Sequence, residues 1–116
     1  MELYKLKSKP KPAPLTGSIY VVTGAGSGIG RGISIYLAGL GANLTLADID
    51  ENGVEETANQ IRERKFANPN ILIGDQSDEK VSKETIGSTI SNFGGLDGLV
   101  LNAGIPVAGS IEELSI

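Results

Sequence analysis

The segment that most restricts the fold of this chain is a glycine-rich stretch between a strand-like run and a helix-like one. Residues 18–23 (Ser-Ile-Tyr-Val-Val-Thr) form a short, nearly continuous apolar run, which is typical of a buried parallel strand. Residues 23–30 (Thr-Gly-Ala-Gly-Ser-Gly-Ile-Gly) follow at once, and apolar residues then recur at helical spacing until Gly41. Glycines at such a turn allow backbone N–H groups and the helix N-terminus to approach a phosphate. The alternative is a close-packed turn without a ligand, but the strand–turn–helix context favours a nucleotide site.

The rest of the chain continues to alternate between these two kinds of segment. Short apolar runs predict strands, and apolar residues at helical spacing predict the helices between them. Alternation of this kind favours an α/β fold in which a parallel sheet carries helices on both faces. We predict strands at 18–23, 43–47, 71–73 and 99–101, and helices with apolar stripes at 29–40, 54–65 and 81–93.

Several local expectations accompany these elements. Tyr20 in the first strand and Tyr36 in the first helix are expected in the core. Ser77 is expected to be the N-cap of the third helix, because Asp78 and Glu79 follow it in the first turn. Gly94 and Gly95 are expected to end that helix.

Composition and charge exclude several classes of function. The chain has no cysteine and no histidine, which excludes disulfides, thiolate zinc sites and histidine-based nucleophile systems. Residues 1–17 contain four lysines and one glutamate, whereas residues 18–116 contain six basic and thirteen acidic side chains. An acidic body of this kind argues against a nucleic-acid partner, and no apolar run approaches membrane-spanning length. The expected location is therefore the cytoplasm.

The chain divides by composition into a short arm and a single domain. Residues 1–16 are rich in lysine and proline and are interpreted as a solvated lead-in arm. A transit peptide is the alternative, although the arm lacks the arginines that such a peptide carries. Residues 17–116 are interpreted as a partial dinucleotide-binding domain.

Polar residues follow the other predicted strands, at the edge where open α/β sheets bind their ligands. Asp48 lies 18 residues after Gly30, where a ribose-binding acid is expected. It could instead cap the second helix, but Asp50 lies closer to the helix start and leaves Asp48 free for the ribose. Two further segments, 75–76 (Asp-Gln) and 102–104 (Asn-Ala-Gly), would by themselves be ordinary polar turns.

Taken together, these four strand ends resemble the short-chain dehydrogenase/reductase family across roughly residues 17–116. The resemblance implies a Rossmann-type sheet in strand order 3-2-1-4, truncated after the fourth strand. It also implies an oxidoreductase that interconverts alcohols and ketones by hydride transfer with a nicotinamide cofactor. Leu101 departs from the pattern, since many members carry asparagine there, and it is expected at a buried strand position. The implied cofactor-binding residues are Gly24, Ser27, Gly28, Ile29 and Gly30 at the ribose and pyrophosphate, Asp48 at the adenosine ribose, Asp75 and Gln76 beside the adenine, and Asn102, Ala103 and Gly104 near the central strand.

The catalytic residues that the resemblance implies are absent from this chain. Family members use a Tyr-x-x-x-Lys pair with a serine downstream of the Asn-Ala-Gly motif, whereas here Tyr4, Tyr20 and Tyr36 all lie upstream. None of the three has a lysine four residues later, so the chain alone is expected to be inactive. No catalytic residue and no metal ligand is assigned. A non-catalytic nucleotide-binding or interaction module and a non-functional fragment remain as alternatives.

Two further expectations concern ligands and partners. NAD is expected to be preferred to NADP, because the carboxylate of Asp48 would repel the additional 2′-phosphate, although Arg31 lies close enough in sequence to offset part of that repulsion. The fourth strand would form one edge of the sheet, and an apolar edge with unpaired backbone groups favours pairing with another copy of the chain.

Overall fold

The computed structural model describes residues 13–102, which form a parallel sheet with helices on both faces. The strands lie in the order β3-β2-β1-β4, and all three pairings are parallel, which confirms the predicted fold and strand order. The bounds lie within a few residues of those predicted. In chain order the elements are β1 (Ile19–Thr23), α1 (Gly28–Gly39), β2 (Asn43–Asp48), α2 (Glu51–Glu63), β3 (Asn70–Ile73), α3 (Glu79–Phe93) and β4 (Gly98–Val100).

One face of the sheet is covered by α1 and α2 and contains the apolar core. Leu44 and Leu46 of β2 point to this face and are almost completely buried against Val54, Ala58 and Ile61 of α2. The three α2 residues recur at helical spacing, so the predicted stripe on this helix is confirmed. Burying branched aliphatic side chains of this size contributes roughly 1.5–3 kcal/mol each to folding.

Helix α1 meets the same face through small residues, which the apolar pattern did not predict. Its buried positions are Gly30, Ser34 and Ala38, whereas Tyr36 is 67% exposed. The expectation that Tyr36 belongs to the core was therefore wrong. Small side chains allow this helix to lie close to the strands and to the glycine turn. Of the large residues in the predicted stripe, Leu37 packs against the core, whereas Ile29 and Tyr36 are exposed.

Helix α3 covers the opposite face. Thr45 of β2 points away from Leu44 and Leu46, because side chains alternate along a strand, and its hydroxyl lies 2.7 Å from that of Thr89. The buried positions of α3 are Thr85 and Thr89. The predicted stripe was wrong at its centre: Ile86 and Ile90 are 39% and 48% exposed, because the helix turns its threonines toward the sheet.

The helix ends follow capping rules, with one correction. Asp50 caps α2 by accepting a hydrogen bond from the Gly53 N–H, as expected. The N-cap of α3 is Asp78, which accepts from the Lys80 N–H, and not Ser77. Ser77 instead hydrogen-bonds to the carboxylate of Asp75, so its hydroxyl is engaged one residue before the cap position. Gly94 ends α3 in the left-handed conformation, as expected.

Some predictions fall partly or wholly outside the described residues. Of the lead-in arm (1–16), the structure describes only residues 13–16. Within these, Leu15 donates its N–H to the Leu40 carbonyl at 2.8 Å. Ala103 and Gly104 lie outside the described part. Within it, no helix has the length and apolar character that a bilayer crossing requires.

Candidate functional site

The carboxyl ends of the strands lie side by side at one edge of the sheet. Because the pairing is parallel, Thr23 at the end of β1 lies opposite Ala47, and Asp48 at the end of β2 lies opposite Ile73. The segments that follow β1, β2, β3 and β4 contain the cofactor-binding residues predicted from the sequence. The fold therefore brings the predicted site residues that it describes to a common edge.

The glycine turn is held in a compact form that leaves its tip exposed. A Cβ atom at Gly30 would collide with the Gly24 carbonyl oxygen and would lie 2.8 Å from the Asn102 side-chain nitrogen, so only glycine fits there. Ser27, Gly28 and Ile29 are exposed, and α1 begins within them. The Ser27 side chain makes no capping hydrogen bond to α1. A helix that begins at an exposed glycine turn without a side-chain cap is suited to binding an anionic group through its N–H donors.

Asp48 is held directly against this turn. Its Oδ2 accepts a hydrogen bond from the Gly26 N–H at 2.8 Å, and its Oδ1 accepts one from the Asp50 N–H at 3.2 Å. A Cβ atom at Gly26 would lie 2.7 Å from Oδ2, so the close approach requires glycine at position 26. A carboxylate offers about four acceptor positions, so Asp48 retains the capacity to accept from a ligand as well.

Asp75 and Gln76 follow β3, and the structure gives them different surroundings. The Ser77 hydroxyl (2.7 Å) and backbone N–H (2.9 Å) both donate to Asp75 Oδ1, and this lowers the pKa of Asp75 below its usual value of 3.8. The Gln76 side chain donates to the Thr85 hydroxyl at 2.8 Å. Asp75 is therefore an exposed carboxylate at the edge, whereas the amide nitrogen of Gln76 is directed to α3.

Asn102 joins the end of β4 to the end of the neighbouring strand β1. Its backbone N–H donates to the Thr23 hydroxyl at 2.9 Å, and that hydroxyl also donates to the Val100 carbonyl at 3.3 Å. The side-chain nitrogen of Asn102 lies close to Gly30 on the glycine turn. Leu101 is 74% exposed, so the expectation of a buried strand position was wrong, because β4 ends at Val100.

Two residues hold this edge together through contacts that the sequence did not predict. Gly26 was part of the glycine segment but was not assigned a role, although its N–H holds Asp48. Arg31 in α1 donates to the carbonyl oxygens of Gly26 and Gly53 and to the Thr57 hydroxyl. The Gly-x-Gly spacing at 24–26 was a usable signal for Gly26, whereas the partners of Arg31 are up to 26 residues away and left no local pattern.

Comparison with known proteins agrees with this geometry. The sequence profile of the short chain dehydrogenase family matches residues 18–116. The chain belongs to this family. It is 37% identical over 99 residues to an uncharacterized oxidoreductase of Thermotoga maritima, and 38% identical over 101 residues to the short chain dehydrogenase/reductase astE of Aspergillus oryzae. These alignments cover 85% and 86% of this chain but only 38% and 39% of the two relatives, so the chain corresponds to the N-terminal part of the family.

Solved structures of the family share the fold. The glucose dehydrogenase of Caenorhabditis elegans superposes with a TM-score of 0.76 at 31% identity, covering 86% of this chain and 41% of that enzyme. The 3-ketoacyl-(acyl-carrier-protein) reductase of Brucella melitensis, solved in complex with NADH, superposes with a TM-score of 0.67 at 32% identity over 73% of this chain and 33% of that one. The short-chain dehydrogenase fold binds a nicotinamide dinucleotide, as that complex illustrates.

Proposed function

We propose that this chain is the dinucleotide-binding part of an oxidoreductase that interconverts alcohols and ketones, and that it prefers NAD(H) to NADP(H). The observation that carries the proposal is the position of Asp48, whose carboxylate lies against the glycine turn and is anchored by the Gly26 N–H at 2.8 Å. This arrangement combines a phosphate-binding turn with a ribose-binding acid at one sheet edge.

The glycine turn supplies the phosphate half of the proposed site. The exposed tip at residues 27–29 carries the first N–H groups of α1, which attract a pyrophosphate through hydrogen bonding and through the helix dipole. Asp75 would lie beside the adenine at the next strand end. Asn102 would keep the end of β4 in contact with that of β1, and Ala103 and Gly104 would continue toward the cofactor.

Asp48 supplies the ribose half and would set the cofactor preference. It would accept hydrogen bonds from both hydroxyls of the adenosine ribose of NAD. In NADP the 2′-phosphate would face the same carboxylate, and two like charges at ~4 Å repel by roughly 4 kcal/mol at an effective dielectric constant near 20. Because this edge is open to solvent and salt, screening reduces that repulsion to about 1–2 kcal/mol, or about a tenfold preference.

A cofactor titration tests this part of the proposal. The protein is titrated with NADH and with NADPH at fixed ionic strength, and binding is followed by the fluorescence of the nicotinamide. We expect NADH to bind about tenfold more tightly than NADPH, and we expect Asp48→Ala to abolish the preference. Glu63→Ala is the control, because it removes an exposed carboxylate at the end of α2. Equal affinities in the unsubstituted protein would remove Asp48 from the proposed role.

The oxidoreductase activity itself is tested by turnover. The 116-residue polypeptide lacks the tyrosine–lysine pair, so we expect no cofactor-dependent turnover of alcohols or ketones above background. The protein at its full natural length should show turnover. Binding without turnover at full length would favour the non-catalytic nucleotide-binding module, and turnover by the polypeptide of 116 residues would contradict the proposed absence of catalytic residues.

A further inference from the structure

Arg31 joins the glycine turn to helix α2 through three hydrogen bonds. Its Nη2 donates to the Gly26 carbonyl at 2.7 Å and to the Gly53 carbonyl at 3.1 Å, and its Nε donates to the Thr57 hydroxyl at 2.9 Å. Thr57 is completely buried, and its hydroxyl also contacts the Ala25 carbonyl at 2.7 Å. The half-buried arginine therefore holds two consecutive residues of the turn, one directly and one through Thr57.

Gly26 is held at both of its backbone polar groups by charged side chains. Its carbonyl accepts from Arg31, and its N–H donates to Asp48. Hydrogen bonds in which one partner is charged are stronger than neutral ones, so Gly26 is fixed between the two side chains. A shift of Gly26 relative to α2 would break the bond to Arg31 and would also move the donor that anchors Asp48.

The geometry points to Arg31 as a positioning residue for cofactor discrimination, and this inference rests on the proposed function. We infer that Arg31 holds the glycine turn against α2, so that the Asp48 carboxylate is presented to the adenosine ribose. Arg31 acts through Gly26 and Asp48 and does not itself bind the cofactor.

The hydrogen bonds of the guanidinium argue against a bidentate contact of Arg31 with a 2′-phosphate. Arginine binds a phosphate bidentately through either of two edges, and both edges include Nη2. Both Nη2 hydrogens are engaged, one with Gly26 and one with Gly53, and the single Nε hydrogen is engaged with Thr57. A bidentate phosphate contact would require these bonds to break. Arg31 is therefore placed to support the turn rather than to clamp the 2′-phosphate of NADPH.

The test is a cofactor titration of substituted proteins at full natural length. In Arg31→Met we expect NADH affinity to fall about tenfold, the scale of one lost charge-assisted hydrogen bond, while NADPH affinity falls by no more than about threefold. The ratio of the NADPH dissociation constant to that of NADH should therefore fall toward one. Arg64→Met is the matched control and should leave this ratio unchanged. Arg64 is an exposed arginine at the end of α2, and within residues 13–102 its side chain bonds to the Gln60 carbonyl alone.

Two further variants separate geometry from charge. Arg31→Lys keeps the charge but cannot reach all three acceptors, so it should recover only part of the NADH affinity. Thr57→Val keeps the shape of the side chain but removes the acceptor of Arg31 Nε, so it should lower the same ratio of dissociation constants by a smaller amount. If Arg31→Met does not fold, as judged by circular dichroism, these two variants carry the test.

A double substitution asks whether Arg31 acts through Asp48. In an Asp48→Ala background, Arg31→Met should change NADH affinity by less than about twofold, because the residue that it positions is gone. A full effect in that background would overturn the inference. The inference would also be overturned if Arg31→Met lost more NADPH affinity than NADH affinity, or equal amounts of both. Complete recovery of NADH affinity in Arg31→Lys, or no change in any variant, would overturn it as well. Failure of the unsubstituted protein to bind NADH would instead contradict the proposed function.

Discussion

The two faces of the sheet are held by different kinds of contact. Against α1 and α2, Leu44 and Leu46 pack in an apolar core with aliphatic residues of α2. Against α3, the buried side chains of the helix are threonines, and the hydroxyls of Thr45 and Thr89 lie 2.7 Å apart, beside the buried Val21 of β1. On β2 itself the two faces alternate, because Leu44 and Leu46 point toward α1 and α2 whereas Thr45 between them points toward α3.

Further hydrogen bonds extend from this threonine contact toward the carboxyl ends of the strands. The Asn70 side chain donates to the Thr45 hydroxyl at 3.1 Å and to the Ser88 hydroxyl at 2.9 Å. Further along α3, Thr85 accepts from Gln76, one of the proposed site residues. Directional bonds define one position for a helix more narrowly than apolar contact does, but each contributes only about 1 kcal/mol. We therefore expect the α1–α2 face to contribute more to stability, and the hydrogen bonds of the α3 face to contribute mainly to the alignment of that helix.

The largest expected effect is on the apolar face. Leu46→Ala removes a completely buried side chain from the core and should lower the free energy of unfolding by about 2–5 kcal/mol. Chemical denaturation followed by circular dichroism measures the loss. Ile90→Ala on α3 is the comparison variant, and it should cost less than about 1 kcal/mol because Ile90 is nearly half exposed. Equal losses would contradict the contrast between the faces.

A smaller effect is expected on the face of α3. Thr89→Val keeps the shape of the side chain but removes the hydroxyl that contacts Thr45 and the Thr85 carbonyl, both at 2.7 Å. We expect a loss of about 1–2 kcal/mol in the free energy of unfolding, because a buried hydroxyl at Thr45 loses one partner. Ser91→Ala, at an exposed position of the same helix, is the control and should change stability by less than about 0.5 kcal/mol. No loss in Thr89→Val would show that the polar contacts of this face do not stabilise the fold.

The edge strand is expected to influence association more than stability. We propose that the 116-residue polypeptide self-associates through β4, whose Leu99 is 50% exposed and which pairs with β1 alone among the described strands. Leu99→Lys places a charge on this edge, and it should shift the polypeptide toward monomer in light scattering while changing stability by only about 0.5 kcal/mol. A concentration-independent monomer before substitution would contradict the proposal and would favour an autonomous binding module.

The smallest effect concerns the pH dependence of Asp75. Hydrogen bonds from Ser77 lower the pKa of this carboxyl, so its contribution to stability is present above the unfolded-state pKa and is lost as the pH falls through the lower folded-state pKa. Titration of the carboxyl by NMR should show a midpoint below 3.8, and Ser77→Ala should move it part of the way back, because the backbone donor remains. A midpoint that Ser77→Ala leaves unchanged would contradict the assigned cause. Near neutral pH the carboxyl is ionised in both the folded and the unfolded state, so its contribution to stability should not vary with pH.

The sequence predicted the elements well because each has a local signal. The strands were recognisable as short apolar runs, and α2 begins after Asp50 and α3 ends at Gly94 as capping rules require. The helix faces were predicted less well. Tyr36 and Ile90 fit a helical stripe in the sequence, yet the buried positions belong to alanine, serine and threonine residues beside them. Periodicity identifies a helix, but it cannot show which side approaches a sheet closely enough to need small side chains.

The candidate site was also predictable from the sequence only in part. The glycine turn and Asp48 could be located from the sequence alone, because spacing along a βαβ unit places the turn and the acid at consecutive strand ends. The contact of Asp48 with Gly26, and the attachment of that glycine to α2 by Arg31, were decided only by the tertiary structure. Local spacing determines which residues reach the edge of a sheet, whereas hydrogen bonds between separate elements depend on how closely the helices pack, and no single segment encodes that distance.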